Sequence, residues 1–185
     1  MSAWRSVLVA VVCLLAGCGE SSTGLSALQQ LQATSADLRR AGNLSAAVAT
    51  DMTVVDSGMA KDRSSYVRRH AVRLVRDSSR LKLADTRALR MISPLPARLS
   101  GPARHYAQAM VNALQAQRHE AAALISVGRL IQRDPLLERA GSIKALRTEL
   151  RARRYAARVT TALRRASRIR HSHPKAFTYV PRANG

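Results

Sequence analysis

Aromatic residues and reaction motifs are scarce in this chain of 185 residues. Phe, Trp and Tyr make up 3% of it, and the single tryptophan is Trp4. Proteins that bind single-stranded nucleic acid stack bases on aromatic platforms, so this scarcity disfavours that class. No G-x-S-x-G elbow, phosphate loop, C-x-x-C or H-E-x-x-H pattern occurs, and the 11 acidic residues are scattered singly. We therefore expect no enzymatic activity and no paired carboxylates on one face.

Cysteine is also rare, and both copies lie near the N-terminus, at Cys13 and Cys18. Arg5 supplies a short positive region, and the run VLVAVVCLLAG that follows is too short to span a bilayer comfortably. A positive start followed by an apolar stretch of this length is typical of an export signal. Residues 1–17 are therefore interpreted as a signal peptide and are left out of the fold.

The end of this segment resembles the lipobox of bacterial lipoprotein precursors, which Leu15, Ala16, Gly17 and Cys18 match. The resemblance covers roughly the first twenty residues and implies nothing about the rest of the chain. It implies cleavage before Cys18, a diacylglycerol on the Cys18 sulfur, and the freed amine as a second site for acylation. No other cofactor is expected. In the alternative, an ordinary signal peptide is cut elsewhere and Cys18 is a plain thiol or is removed.

The resemblance also implies a location and a redox state. Gly19 stands where lipoproteins kept in the inner membrane tend to have Asp. This implies the outer membrane, facing the periplasm, in a Gram-negative cell, and otherwise the outer face of the plasma membrane. Processing removes Cys13 and acylates Cys18, so no intramolecular disulfide can form and stability must come from packing.

Positive charge dominates the chain, which has a formal net charge of +20. Residues 18–62 hold three basic and five acidic side chains, whereas residues 63–185 hold 27 basic and six acidic ones. Such a field attracts anionic surfaces over about a Debye length, ~8 Å at physiological salt. For an exported chain these are lipid headgroups, lipopolysaccharide or wall polymers, and cytoplasmic nucleic acid is not expected. A GC-rich genome also produces many Arg and Ala codons without selection for binding, and that interpretation stays open.

Leucine and alanine recur at helical spacing, which predicts an all-α fold, a small bundle of about four to six helices. We divide the mature chain into a lipidated tether at 18–24, a helical domain at 25–170 and a flexible tail at 171–185. Gly42 and Gly58 are expected to end two short helices that form a hairpin. The segment SPLPARLSGP predicts a break before a long helix over 103–133.

Two groups of arginines are the candidate residues for anionic surfaces. In the helical segment that follows Gly58, Val67, Ala71, Leu74 and Val75 form an apolar face. The opposite face carries Arg69, Arg73, Arg76 and Arg80. On the last helix the second group comprises Arg153, Arg154, Arg158, Arg164, Arg165 and Arg168.

The last helix has two apolar stripes about 160° apart. One comprises Leu136, Ile143, Leu146 and Leu150, and the other Tyr155, Val159, Leu163, Ala166 and Ile169. One straight helix cannot bury both stripes in one partner, so we expect it to bend near 150–153 or its second half to leave the bundle. That second half then forms a basic amphipathic helix for a membrane interface, or its apolar stripe closes the protein's own core.

These features predict a non-enzymatic, lipid-anchored protein of the cell envelope whose basic helical surface binds an anionic component. The alternative is a lipoprotein subunit of an envelope assembly for secretion, conjugation or wall maintenance, which docks through helix faces. An enzyme is a remote alternative, which a pocket holding Arg69, His105 or His119 would favour. His171 and His173 lack a third ligand, so no metal site is predicted.

Overall fold

The computed structural model describes residues 26–61, 63–135 and 140–178, so Cys18 and the lipobox lie outside the described residues. Within these ranges the chain forms six helices and one 3₁₀ turn and no strand, which confirms the predicted all-α bundle. Four of the helices are long. The elements are α1 (Ala27–Ala33), α2 (Ser35–Met59), α3 (Ser64–Ile92), α4 (Leu95–Arg98), α5 (Gly101–Arg133), α6 (Ala140–Ser172) and the 3₁₀ turn Pro174–Phe177.

The first break in the chain lies at Thr34, and the predicted break near Gly42 is wrong. Thr34 is buried and its hydroxyl donates to the Leu31 carbonyl at 2.7 Å, which separates α1 from α2. Helix α2 continues through Gly42, because a helical glycine costs only about 1 kcal/mol relative to alanine. The buried side chains of Ala41 and Val48 hold the helix on both sides of it. The predicted hairpin of two short helices is therefore one helix of 25 residues.

Helices α3 and α5 form the centre of the bundle. Leu74, Leu81 and Ile92 of α3 and Ile131 of α5 are almost completely buried. Helix α3 continues through residues 84–92 and has 29 residues in all. Helix α5 spans Gly101–Arg133, which confirms the long helix predicted over 103–133.

The turn into α5 depends on a glycine. Gly101 has φ +52°, in the left-handed region that side chains with a Cβ disfavour.

Helix α2 packs on α3, α3 on α5, and α5 on α6. Residues of α2 and α6 also face each other across a groove.

Helix α6 is continuous and packs along α5 through small side chains. Ala145, Ala152, Val159 and Ala166 are all buried, at intervals of seven residues. The expected departure of the second half does not occur, because Val159 and Ala166 are buried like Ala145 and Ala152. The stripe that contains Val159 and Ala166 closes the protein's own core, and the other stripe stays exposed within the described residues.

The C-terminal boundary of the domain lies further along the chain than the predicted position 170. Helix α6 ends at Ser172, and the 3₁₀ turn that follows places Phe177 against Tyr106, with ring centroids 5.1 Å apart. The Gln32 Nε2 donates to the Phe177 carbonyl oxygen at 3.1 Å. Residues 171–178 of the predicted tail therefore belong to the domain, and residues 179–185 lie outside the described ones.

Candidate anion-binding surface

The basic face predicted on α3 is exposed. Arg69, Arg73, Arg76 and Arg80 all lie on the surface. Asp77 lies beside this face, with its Oδ1 2.8 Å from Arg76 Nε and 3.6 Å from Arg80 Nη1. The Arg76 hydrogen bond holds the pKa of Asp77 below its ordinary value, although partial burial opposes the shift. Two of the four predicted arginines therefore direct part of their charge toward a carboxylate.

A groove between α2 and α3 gathers arginines that the sequence analysis did not single out. Its volume is about 720 Å³, and it is lined by Arg39 and Arg40 of α2 and by Arg80 and Arg87 of α3. Asp37 is the one acid among the described residues of its lining. We call it the arginine groove. It concentrates four guanidinium groups on two antiparallel helices, an arrangement suited to phosphate or carboxylate oxygens.

Part of this groove could have been found from the sequence. Arg87 follows Arg80 by seven residues, so the helical period extends the predicted basic face by two turns. Arg39 and Arg40 lie in the near-neutral part of the chain, where the balance of charges gave no signal. Their position beside α3 depends on how α2 packs.

The arginines predicted on α6 are exposed as well: Arg153, Arg154, Arg158, Arg164, Arg165 and Arg168. The Arg158 guanidinium lies 5.6 Å from the centroid of the Tyr155 ring, which stacks on His119 at 5.2 Å. Arg153 pairs with Glu149 one turn earlier. The arginine groove includes Arg80 from the predicted sets and the groove between α2 and α6 includes Arg153, so the two sets do not converge in either groove.

Acidic residues come together in pairs across helix contacts, which corrects the expectation of single, scattered acids. Asp51 of α2 lies near Asp77 of α3, and Asp56 of α2 lies near Glu149 of α6. Burial first, and the neighbouring carboxylate second, raise the pKa values of Asp51 and Asp56. Arg153 opposes part of the shift at Asp56. The acids therefore lie between helices while the arginines lie outside.

A third pair of carboxyl groups lies between α3 and α5. Asp85 is completely buried, and neither of its carboxyl oxygens has a hydrogen-bond partner among the described residues. Burial, with Glu120 adding to it and Arg118 opposing, raises the pKa of Asp85 to about 8. Burial raises the pKa of Glu120 to about 7. Asp85 is therefore protonated at neutral pH, which avoids the large cost of burying an isolated charge.

Glu120 also lines the groove between α2 and α6, which has a volume of about 310 Å³. We call it the apolar groove, because most of its lining is aliphatic. The aliphatic lining comprises Val48, Ala49, Met52, Leu81, Leu124, Ala156, Ala157, Val159 and Leu163. Neither groove is lined by Arg69, His105 or His119, the residues whose convergence would have favoured an enzyme.

The histidine pair near the C-terminus does not gain further metal ligands from the fold. The His171 Nδ1 lies 2.9 Å from the Ser167 carbonyl oxygen of its own helix. Across residues 26–61, 63–135 and 140–178, no group of three or more His, Cys, Asp or Glu side chains is placed to hold a metal ion. In the same ranges, every helix is too short or too polar to cross a membrane.

Comparison with known proteins gives no further identification. No family model, no curated protein and no solved structure matches this chain.

Proposed function

We propose that this chain is a lipid-anchored protein of the cell envelope that binds an anionic envelope component through its exposed arginines. The observation that carries the proposal is the arginine groove, in which Arg39, Arg40, Arg80 and Arg87 face one opening. Guanidinium groups form bidentate hydrogen bonds with phosphate and carboxylate oxygens, and they stay charged at any physiological pH.

The distribution of acids supports this function. Six acidic residues take part in the three pairs between helices, where Asp85 and Glu120 have raised pKa values. Asp77 pairs with Arg76 and Arg80, and Glu149 pairs with Arg153, but among the described residues Arg39, Arg40 and Arg87 of the arginine groove form no ion pair. The expected ligands are headgroups, lipopolysaccharide or wall polymers, which present rows of phosphate or carboxylate groups. Cys18 would keep the protein at the surface that carries them.

Binding to polyphosphate tests the arginine groove separately from any lipid anchor. We expect the full chain in neutral detergent to bind labelled polyphosphate, with an affinity that falls steeply as salt rises. Changing Arg40→Gln together with Arg87→Gln should weaken binding about tenfold or more, because each cation near an anionic surface contributes about 1 kcal/mol. Fluorescence anisotropy at several salt concentrations measures both effects.

The matched control removes two exposed arginines of α5, Arg104→Gln with Arg129→Gln. It lowers the net charge equally but leaves the arginine groove intact, so its effect should be below about threefold. Equal losses in the two double variants would contradict a role for the groove. Stoichiometric recovery of one protein partner, with no polyphosphate binding, would favour the envelope-assembly alternative.

The anchor has its own test. The wild-type chain should remain in the membrane fraction at high salt, whereas Cys18→Ala should be released, since screening weakens charge contacts but leaves acyl chains inserted. A Cys18→Ala protein that stays bound at high salt contradicts lipid anchoring.

A further inference from the structure

The outward face of the first half of α6 carries an apolar row that nothing among the described residues covers. Ile143, Leu146 and Leu150 are 57%, 57% and 47% exposed. Their spacing of three and four residues places them in one line about 10 Å long. Ala145 and Ala152 lie buried on the opposite side. Helix α6 therefore cannot turn the row inward without exposing the face through which it packs.

Arginines flank this row and continue its line. At about 100° per residue, Arg147 and Arg154 fall beside the row, and both are exposed. Beyond Leu150 the same outward direction is occupied by Arg154, Arg164 and Arg168, over about 20 Å of helix. The outward face of α6 therefore changes along its length from apolar to cationic.

The nearest acid on this part of α6 is turned away from the row. Glu149 is half-buried, pairs with Arg153 and lies near Asp56 of α2. It faces the seam with α2, so that no acid among the described residues compensates the positive charge beside Leu146 and Leu150. A surface that covers the row must therefore accept aliphatic side chains and supply negative charge.

A second copy of the chain does not meet these requirements. A stable protein interface takes about 800 Å² and 20 to 30 residues from each partner, far more than three side chains offer. Packing two rows together would also bring Arg147 and Arg154 of both copies close to each other, and like charges repel. An anionic bilayer satisfies both requirements, because its headgroups attract arginines while its acyl boundary accepts leucine.

We propose that Ile143, Leu146 and Leu150 insert into the headgroup region of an anionic bilayer, with Arg147 and Arg154 on the surrounding phosphates. This inference rests on the proposed function and gives it an orientation. The insertion is shallow, because a helix at the interface buries its apolar face only about 5–10 Å deep. The membrane-facing stripe is the one that the sequence analysis did not assign to the membrane.

A single tryptophan reports directly on this insertion. In a full chain with Trp4→Phe, Leu146→Trp places the reporter in the row, and Val72→Trp places it at an α3 position that is 53% exposed. Each protein is mixed with vesicles containing phosphatidylglycerol, with part of the lipid brominated along its acyl chains, and with vesicles of phosphatidylcholine alone. Co-flotation measures binding, and tryptophan quenching measures insertion. Circular dichroism checks that both variants keep the wild-type helix content.

The inference predicts strong quenching and a blue-shifted emission for Leu146→Trp in phosphatidylglycerol vesicles, with little change for Val72→Trp. Co-flotation without quenching at Leu146→Trp, or with equal quenching at both positions, overturns the inference while the proposed function stands. Absence of co-flotation from every variant also overturns the inference, whereas the proposed function is overturned by loss of polyphosphate binding.

Two arginine variants test the cationic border in the Leu146→Trp background. Arg147→Gln with Arg154→Gln should reduce the quenching in phosphatidylglycerol vesicles by about half or more, because the headgroup attraction that holds the row at the interface is lost. Arg104→Gln with Arg129→Gln, at exposed positions on α5, should leave it nearly unchanged. Equal reductions would show that net charge alone, and not the border of the row, controls insertion.

Discussion

Helix α2 borders two grooves of opposite character. On its α3 side lies the arginine groove, with four arginines among the described residues of its lining. On its α6 side lies the apolar groove, where Glu120 is the one acid among the described residues. The contrast has a physical cause. A carboxyl group can become neutral when it is buried, as the raised pKa of Asp85 shows, whereas a guanidinium group cannot. In a chain this rich in arginine, acids can therefore occupy positions between helices, and the arginines remain in water.

The largest predicted effect is at Asp85. Below about pH 4 this residue is protonated in both the folded and the unfolded chain. Between the ordinary pKa of 3.8 and the raised value of about 8, the unfolded chain loses the proton and the folded chain keeps it. Stability therefore falls as pH rises through this window, by up to about 6 kcal/mol at ~1.4 kcal/mol per pKa unit.

Asp85→Asn replaces the titratable carboxyl group with an amide, so it should flatten the dependence of the free energy of unfolding on pH. We expect the variant to be more stable than wild type above pH 8 by several kcal/mol, and the difference to shrink toward acidic pH. Urea unfolding followed by circular dichroism at a series of pH values measures it. An unchanged slope between mildly acidic and alkaline pH would show that Asp85 is not protonated in the folded chain.

Truncating one leucine of α3 in each groove compares how tightly the two grooves are packed. Leu81 lines the apolar groove and is 1% exposed, whereas Leu83 lines the arginine groove and is 53% exposed. Leu81→Ala should lower the free energy of unfolding by about 2–5 kcal/mol, because it leaves a cavity in the core. Leu83→Ala should change it by less than about 0.5 kcal/mol. Similar losses at the two positions would mean that the arginine groove is closed by packing.

Substitutions at two glycines should have smaller effects than Leu81→Ala, with opposite signs. A Cβ at Gly128 of α5 would lie 2.6 Å from Val75 Cγ2 and 3.3 Å from the Ala71 carbonyl oxygen, so Gly128→Ala should destabilise by about 1–3 kcal/mol. A Cβ at Gly42 of α2 would have no neighbour within 4 Å, so Gly42→Ala should stabilise by about 0.5–1 kcal/mol. Thermal unfolding of the two variants measures both. Destabilisation by Gly42→Ala would mean that α2 packs against something at that position.

The local features of the fold could be predicted, and the pairing of side chains between helices could not. The buried face of α3 follows from the helical period, and the limits of α5 follow from the helix-breaking residues beside it. The exposure of the arginines of α3 and α6 follows from the same period, because the spacing places them on the side of each helix opposite its buried face. Arg39 and Arg87 line one groove, and Asp85 lies near Glu120, although each pair comes from segments far apart in sequence. No periodicity within either segment contains that information.

Helix α6 shows where the reasoning from sequence went wrong. The apolar row of Ile143, Leu146 and Leu150 has the larger hydrophobic side chains, yet Ala145 and Ala152 are the buried residues. Hydrophobicity favours large side chains, whereas the close approach of two helices favours small ones. Because alanine allows α6 to lie near α5 along its length, the leucines are left on the outside.

The sequence alone determined that the chain is helical, where the long helix α5 lies, and that α3 and α6 each carry an exposed arginine face. These properties depend on a period of 3.6 residues, which every segment expresses locally. The tertiary structure decided which apolar stripe of α6 is buried, which acids meet, and which arginines share a groove. Those outcomes depend on how closely and in what order four long helices pack, a property of the whole chain and not of any one segment.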